Sequence, residues 1–113
     1  MTKVSVLMGI YNCAGTLPDA IRSIQAQTYE NWELILCDDG STDDTYKIAE
    51  VFKREDSRIR LLHNEHNLGL NETLNRCLRE AKGEYIARQD GDDMSLPERF
   101  ALQVALLEGR PDI

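Results

Sequence analysis

Four residues near the end of this 113-residue chain, Asp90-Gly91-Asp92-Asp93, concentrate enough negative charge to be candidates for chemistry. Carboxylates packed this closely repel one another and shift each other's protonation unless a cation or hydrogen bonds compensate. Hard divalent ions such as Mg2+ and Mn2+ take oxygen ligands and commonly bridge carboxylates to substrate phosphates. The intervening glycine frees the backbone to turn and lets a ligand come close. For an isolated Asp-x-Asp-Asp, a solvated acidic turn capping the next helix is the stronger reading. A calcium loop of the helix-loop-helix type fails on spacing. With Asp90 in first place, the sixth residue is Ser95 where glycine is needed, and the twelfth is Ala101 where glutamate is needed.

Other polar groups end apolar runs in the same way. Asp38-Asp39-Gly40-Ser41 follows an apolar segment directly, and a carboxylate there can accept a hydrogen bond from a uracil or guanine N–H or from a ribose hydroxyl. Taken alone, these residues are more simply the ordinary ones of a turn and helix cap. Tyr11-Asn12 offers an aromatic face and an amide, yet a tyrosine at a strand end also serves as packing. His63 and His66 have no cysteine or acidic partner at ligand spacing and read as loop residues, while Arg88 is placed to balance the acidic cluster or to meet a phosphate. The chain contains no Ser-His-Asp or Cys-His arrangement, no GxGxxG and no GxxxxGK[ST]. Phosphate charge would therefore have to be met by a metal.

The elements that must position these groups alternate in type. Val4–Ile10 and Glu33–Cys37 are nearly continuous apolar runs, the pattern of strands buried on both faces; Ile59–Leu62 and Tyr85–Ala87 are shorter versions. Between them lie segments of helical period. The first opens at Thr16-Leu17-Pro18-Asp19, with Thr16 as cap, and carries Leu17, Ala20, Ile21 and Ile24 on one face. The second opens at Ser41-Thr42-Asp43-Asp44 and carries Ile48, Val51 and Phe52. The third carries Leu70, Leu74, Cys77, Leu78 and Ala81, with Gly83 as its stop, and the fourth starts near Pro97 with Phe100, Val104 and Leu107. The order β-α-β-α-β-α-β-α predicts an α/β fold: a mostly parallel sheet with helices on both faces and right-handed crossovers. In such sheets ligands bind beyond the carboxyl ends of the strands, where Tyr11, Asp38-Asp39 and Asp90 to Asp93 fall.

Composition narrows the function. At 42% hydrophobic and 29% charged residues the chain is an ordinary globular one, and its length holds one domain, residues 1–113. A net charge of −7 argues against nucleic acid as a partner. No apolar run is long enough to span a bilayer, and Met1-Thr2-Lys3 leads into a strand with no small-residue cleavage site. The odd number of cysteines (Cys13, Cys37 and Cys77) fits neither a disulfide framework nor a zinc site and points to a reducing cytosol, with Cys37 and Cys77 as core residues. The chain stops at Arg110-Pro111-Asp112-Ile113, where a fifth strand is expected to begin, so it reads as truncated.

In their order and spacing these pieces resemble family 2 glycosyltransferases of the GT-A fold, a Rossmann-like arrangement. The matching segments are Val4-Ser5-Val6-Leu7-Met8-Gly9-Ile10-Tyr11-Asn12, Ser23-Ile24 with Gln27-Thr28-Tyr29, and Glu33 through Asp43. They continue with Asn67-Leu68-Gly69, Asn75, Ala81-Lys82-Gly83-Glu84-Tyr85-Ile86, Asp90-Gly91-Asp92-Asp93 and Pro97-Glu98-Arg99. Each fragment is weak; their ordered conjunction over nearly the whole chain is strong.

The resemblance implies an inverting transfer of a sugar from a nucleotide-diphosphate donor, a UDP-sugar, to a saccharide or lipid-linked acceptor. It assigns Tyr11 and Asp39 to the nucleobase, beside Asp38, with Gly9 letting the strand edge approach the base. Asp90 and Asp92 become the pair that holds the ribose and the Mn2+ or Mg2+ on the diphosphate, and Asp93 beside them shares either role. The general base is expected beyond Ile113, since Glu98 and Glu108 belong to the two ends of one helix, so the fragment alone is expected to bind donor without completing transfer. The resemblance also implies a cytoplasmic enzyme of envelope polysaccharide synthesis, with any membrane association supplied by a region beyond Ile113. The rival readings are a non-catalytic nucleotide-binding or scaffolding module and a phosphorylation-dependent receiver domain. The receiver fails because its paired acids follow the first strand and its lone aspartate the third, whereas here those strands end in Tyr11-Asn12 and His63-Asn64.

Overall fold

A computed structural model describes residues 2–109. The elements alternate as the sequence predicts: β1 (Val4–Ile10), α1 (Leu17–Gln25), β2 (Trp32–Asp38), α2 (Thr45–Glu55), β3 (Ile59–His63), α3 (Leu70–Glu80), β4 (Tyr85–Arg88) and α4 (Arg99–Gly109). The four strands form one parallel sheet in the order β3-β2-β1-β4. The order reverses at β1, so the ends of β1, β2 and β4 open onto a common crevice. Register sets their levels: Ile10 is opposite Asp38, and Leu7 is opposite Arg88, which carries the chain beyond β4 up the side of Gly9.

Helices cover both faces. Val4, Val6, Met8 and Ile10 of β1 and Leu34 and Leu36 of β2 point to one side, where Leu17, Ala20, Ile21 and Ile24 of α1, Ala49 of α2 and Phe100 and Val104 of α4 close the larger core. The alternate residues Leu7, Ile35 and Cys37 point to the other side and meet Cys77 of α3. This is why β1 and β2 read as continuous apolar runs: each buries both faces. Cys37 and Cys77 are core residues, as expected.

Several local expectations are corrected. Thr16 stands before α1 but does not cap it; its hydroxyl goes to the carbonyls of Cys13 and Gly91. Helix α2 starts at Thr45, and the carboxylate that meets its first N–H is Asp43, at 2.9 Å. Val51, Leu70, Leu78 and Leu107 are exposed, because each helix packs a narrower stripe than its apolar residues outline.

Gly83 is not the stop of α3, which ends at Glu80 with Ala81 already extended. Its role is close approach: a Cβ there would lie 2.7 Å from the Ser5 nitrogen and 2.9 Å from the Val4 carbonyl carbon, both backbone atoms of the central strand. Its own N–H donates to Ser5 Oγ at 2.8 Å, and that hydroxyl donates to buried Glu33 at 2.6 Å. Gly83→Ala is expected to lower stability by about 1–3 kcal/mol through overpacking against an immovable strand. A urea-unfolding midpoint equal to that of the wild type would refute the close-approach role.

Candidate functional site

The loop after β1 is built to hold Tyr11 out of the core. Asn12 takes a left-handed backbone (φ 46°), which asparagine tolerates better than most residues, and this ends the strand abruptly. Its Oδ1 accepts from the Thr42 N–H at 2.8 Å, and its own N–H donates to Ser41 Oγ at 3.0 Å. The Cys13 N–H donates to Thr45 Oγ1 at 2.8 Å. The loops after β1 and β2 are thus stitched together, and Tyr11 stands 47% exposed between two adjoining clefts.

The first cleft, about 210 Å3, is lined by Gly9, Ile10, Tyr11, Asp39, Asn67, Gly69, Leu70 and Thr73. Asp39 is its acidic member. Its Oδ1 accepts from the Leu68 N–H at 2.7 Å and from Asn64 Nδ2 at 3.0 Å, and its Oδ2 accepts from the Gly69 N–H at 3.1 Å. Burial, the largest single influence, pushes the Asp39 carboxyl up. The donors from Leu68, Asn64, Gly69 and Thr73 together outweigh it and hold the group below the ordinary aspartate value. Asp39 is therefore an ionised acceptor fixed in direction. The neighbouring Gly40 (φ +76°) lets this turn touch the next loop, since a Cβ there would lie 3.0 Å from the Asn67 nitrogen.

Asp38 faces elsewhere. It is fully buried, its carboxylate accepts from the Ser41 hydroxyl at 2.5 Å and the Ser41 N–H at 3.2 Å, and His63 Nε2 lies 3.7 Å away. Asp38 lines neither cleft and serves the turn, and it is also the acidic partner that spacing alone did not reveal for His63. The room at Gly9 is taken by α3: a Cβ there would meet Leu70 Cδ1 at 3.0 Å and Thr73 Cγ2 at 3.3 Å. Gly9 admits the first turn of α3 to the strand and lines both clefts.

The second cleft, about 500 Å3, runs from Tyr11 and Asn12 past Gly15 and Thr16 to Asp90, Gly91 and Asp92. The acidic turn is braced from below. A Cβ on Gly91 would lie 2.8 Å from Cys13 Sγ, Thr16 Oγ1 donates to the Gly91 carbonyl at 3.0 Å, and buried Gln89 donates to the Asp93 carbonyl at 3.1 Å. Asp90, Asp92 and Asp93 each offer a carboxylate oxygen, and these oxygens lie within 4.8 Å of one another. Arg88 meets Asp90 at 3.5 Å. The all-oxygen donor set suits a hard divalent cation, so these residues fit Mn2+ or Mg2+.

Sequence reasoning gave no role to the residues that support the site. Asn64 and Thr73 hold Asp39; the signal available was a polar residue at each of two positions that face the core. Ser23, Gln27 and Thr28 hold the segment after the acidic turn. Ser23 Oγ accepts from the Ser95 N–H, Gln27 bridges the Leu96 carbonyl and the Phe100 N–H, and the Thr28 N–H donates to the Pro97 carbonyl.

Comparison with known proteins agrees with this fold. The family model described as glycosyl transferase family 2 matches residues 5–113. The chain is 58% identical over 107 residues to the putative glycosyltransferase EpsE of Bacillus subtilis, covering 94% of this chain and 38% of that protein. It is 40% identical over 105 residues to WfgD of Escherichia coli, named a UDP-Glc:alpha-D-GlcNAc-diphosphoundecaprenol beta-1,3-glucosyltransferase, covering 92% of this chain and 40% of that protein. The chain thus spans well under half the length of these relatives. Among solved structures, Staphylococcus aureus TarS 1-349 in complex with UDP superposes with a TM-score of 0.90 at 26% identity, covering 96% of this chain and 33% of that one. The mannosyltransferase PcManGT of Pyrobaculum calidifontis, in complex with GDP-Man and Mn2+, gives 0.81 at 27% identity over 92% of this chain and 31% of that one. The sheet order, the cleft at its reversal and these matches agree: the chain has the GT-A fold and belongs to glycosyl transferase family 2.

Proposed function

We propose that residues 1–113 form the donor-binding part of an inverting glycosyltransferase that takes a UDP-sugar and glycosylates a saccharide or lipid-linked acceptor. The observation that carries this reading is Asp39, an ionised acceptor held by neighbouring donors at the edge of a cleft that also presents Tyr11. A uracil imino N–H donates to Asp39, and the ring lies against the tyrosine face. The second cleft leads from Tyr11 to the acidic turn, which supports a path for the ribose and diphosphate along Asp90 and Asp92. Related structures support the donor class, since TarS is seen with UDP and PcManGT with GDP-Man and Mn2+.

Asp90 and Asp92, with Asp93 beside them, would hold Mn2+ or Mg2+, which when bound would supply charge neutralisation at the diphosphate. The other work belongs to the chain. Tyr11 and Asp39 orient the nucleotide, and the stitched loops after β1 and β2 keep both fixed before the ligand arrives. Inversion requires a base that takes the proton of the acceptor hydroxyl. Glu108 is engaged with Lys3 at 2.8 Å, beside the start of β1 and away from the clefts, and Glu98 lines an outer groove with Met94 and Leu102. Neither is assigned that role.

Base recognition gives the test. In calorimetric titrations at constant Mn2+, UDP is expected to bind at least roughly tenfold more tightly than ADP, about 1.4 kcal/mol, because adenine lacks an imino N–H to give to Asp39. Equal affinity for the two would refute the assignment of Asp39 to the base.

A further inference from the structure

The contact that holds Asp39 from inside the protein has an ordered chain of support behind it. Asn64, 1% exposed, is anchored by its own N–H to the Asp38 carbonyl at 2.8 Å. Its Nδ2 donates to Asp39 Oδ1 at 3.0 Å and to Thr73 Oγ1 at 3.1 Å. Its Oδ1 accepts from the guanidinium of Arg76 and, weakly, from the Cys37 thiol at 3.6 Å. The orientation of this amide is decided by chemistry. Arginine has donors only, so the amide oxygen must face Arg76 and the NH2 must face the carboxylate. Arg76 is itself fixed by the His63 carbonyl at 2.9 Å. It reaches the amide from beside Leu62 and Arg79 and does not line the base cleft.

We infer that Asn64 and Arg76 are positioning residues for nucleotide recognition. Arg76 sets the direction of the Asn64 amide, and the amide keeps Asp39 ionised with one oxygen edge occupied from within, so that the carboxylate meets the base as a fixed acceptor. This rests on the reading of Asp39 as the base contact. Around the carboxylate stand Asp38 of β2 with His63 of β3 against it, Arg76 of α3 and the buried thiol of Cys37 behind Asn64, and Tyr11 across the cleft. Asn64, which touches the carboxylate directly, is the residue whose neutral donor can be exchanged for a carboxyl of the same shape.

Asn64→Asp keeps the volume and the partner for Arg76 but sets a second carboxyl against Asp39 Oδ1. Two carboxyls in contact share a proton, and the apparent value of the pair rises. UDP affinity in the presence of Mn2+ is measured from about pH 5.5 to about pH 8 and compared with the wild type at each pH. The terminal phosphate of UDP itself titrates at about pH 6, whereas wild-type Asp39 lies below that range. In Asn64→Asp the affinity is expected to be roughly tenfold weaker than wild type at the acid end, recovering as pH rises. Arg76→Leu frees the amide to turn and is expected to weaken binding several-fold, and Arg76→Lys, which restores a donor, to recover most of it. Asp39→Asn serves as the reference for loss of the base contact. A nucleotide-free readout accompanies these: the carbon-13 titration of the Asp39 carboxyl is expected to move up in both Asn64→Asp and Arg76→Leu.

Wild-type binding that Asp39→Asn destroys, together with wild-type affinity, pH profile and Asp39 titration in both Asn64→Asp and Arg76→Leu, would overturn the positioning roles and leave the base contact standing. Wild-type protein that binds no nucleotide would overturn the base contact and this inference with it. Should Asn64→Asp fail to fold, the Arg76 pair decides: equal affinity and equal Asp39 titration in Arg76→Leu and Arg76→Lys would overturn the inference.

Discussion

Asp92→Asn is expected to remove most cation-dependent nucleotide binding while leaving the unfolding midpoint where it is. The two halves of this outcome have separate causes. Asp92 is exposed, and among the described residues no hydrogen bond or ion pair involves its carboxylate, so the turn loses nothing by its neutralisation. The turn is held by other atoms: the Gly91 carbonyl by Thr16, the Asp93 carbonyl by Gln89, and Gly91 itself by its contact with Cys13. A hard cation, by contrast, depends on the charge of its oxygen ligands. Loss of one of three clustered carboxylates is expected to weaken the ternary complex by roughly tenfold to a hundredfold, about 1.4–2.8 kcal/mol. A lowered midpoint with unchanged affinity per folded molecule would instead make the acidic turn structural. Asp90→Asn differs in one respect, since it also loosens the Arg88 pair; with both side chains about half exposed, that loss is expected to cost under about 1 kcal/mol.

Asp39→Ala is expected to damage binding and stability together. The side chain gathers the N–H groups of Leu68 and Gly69 and the amide of Asn64, and these loops have no other described anchor of that kind to the turn after β2. Leaving such donors unpaired costs about 1–3 kcal/mol apiece when buried, and water relieves those nearer the surface. A net loss of about 2–3 kcal/mol is expected, which for a domain of this size lowers the melting temperature by roughly 10–20 °C. The effect depends on pH. Because the folded protein holds this carboxyl below its unfolded value, its ionised form contributes stability that is complete above about pH 4 and disappears as pH falls through the lowered value. The difference between wild type and Asp39→Ala should therefore narrow in strongly acid solution. A difference in melting temperature that stays constant from neutrality to acid would show that the carboxylate charge contributes nothing.

Much of this was legible in the sequence because the features follow from period and punctuation. The unbroken apolar runs at Val4–Ile10 and in β2 require burial on both faces, which only a parallel sheet between helices provides. The alternation of elements then puts the polar strand ends on one edge, so Tyr11, Asp39 and the acidic turn come together without any single one being diagnostic. What was not legible depends on third partners. Asp38 and Asp39 are adjacent and chemically identical, yet one turns inward to Ser41 and the other outward to the cleft, a choice set by strand alternation and by the loop at Leu68 and Gly69. Thr16 had the sequence of a helix cap, but its hydroxyl serves the Gly91 carbonyl 75 residues away. Gly83 looked like a helix terminator, and its reason lies in the backbone of β1. Local propensity cannot see contacts across such separations.

The donor site as a whole makes one spatial claim: base at Asp39, diphosphate and cation at Asp90 and Asp92, Tyr11 between. Nitrogen-15 correlation spectra of the chain with UDP and trace Mn2+ address it directly. Addition of UDP should shift the amides of Leu68 and Gly69, which bond to Asp39, and Mn2+ added to that complex should broaden the amides of Gly91, Asp92 and Asp93 first, with those of Gly15 and Thr16 across the cleft next. Leu68 and Gly69 amides unmoved by UDP would contradict the nucleotide assignment, and broadening centred elsewhere, or the same broadening in Asp92→Asn, would contradict that of the cation.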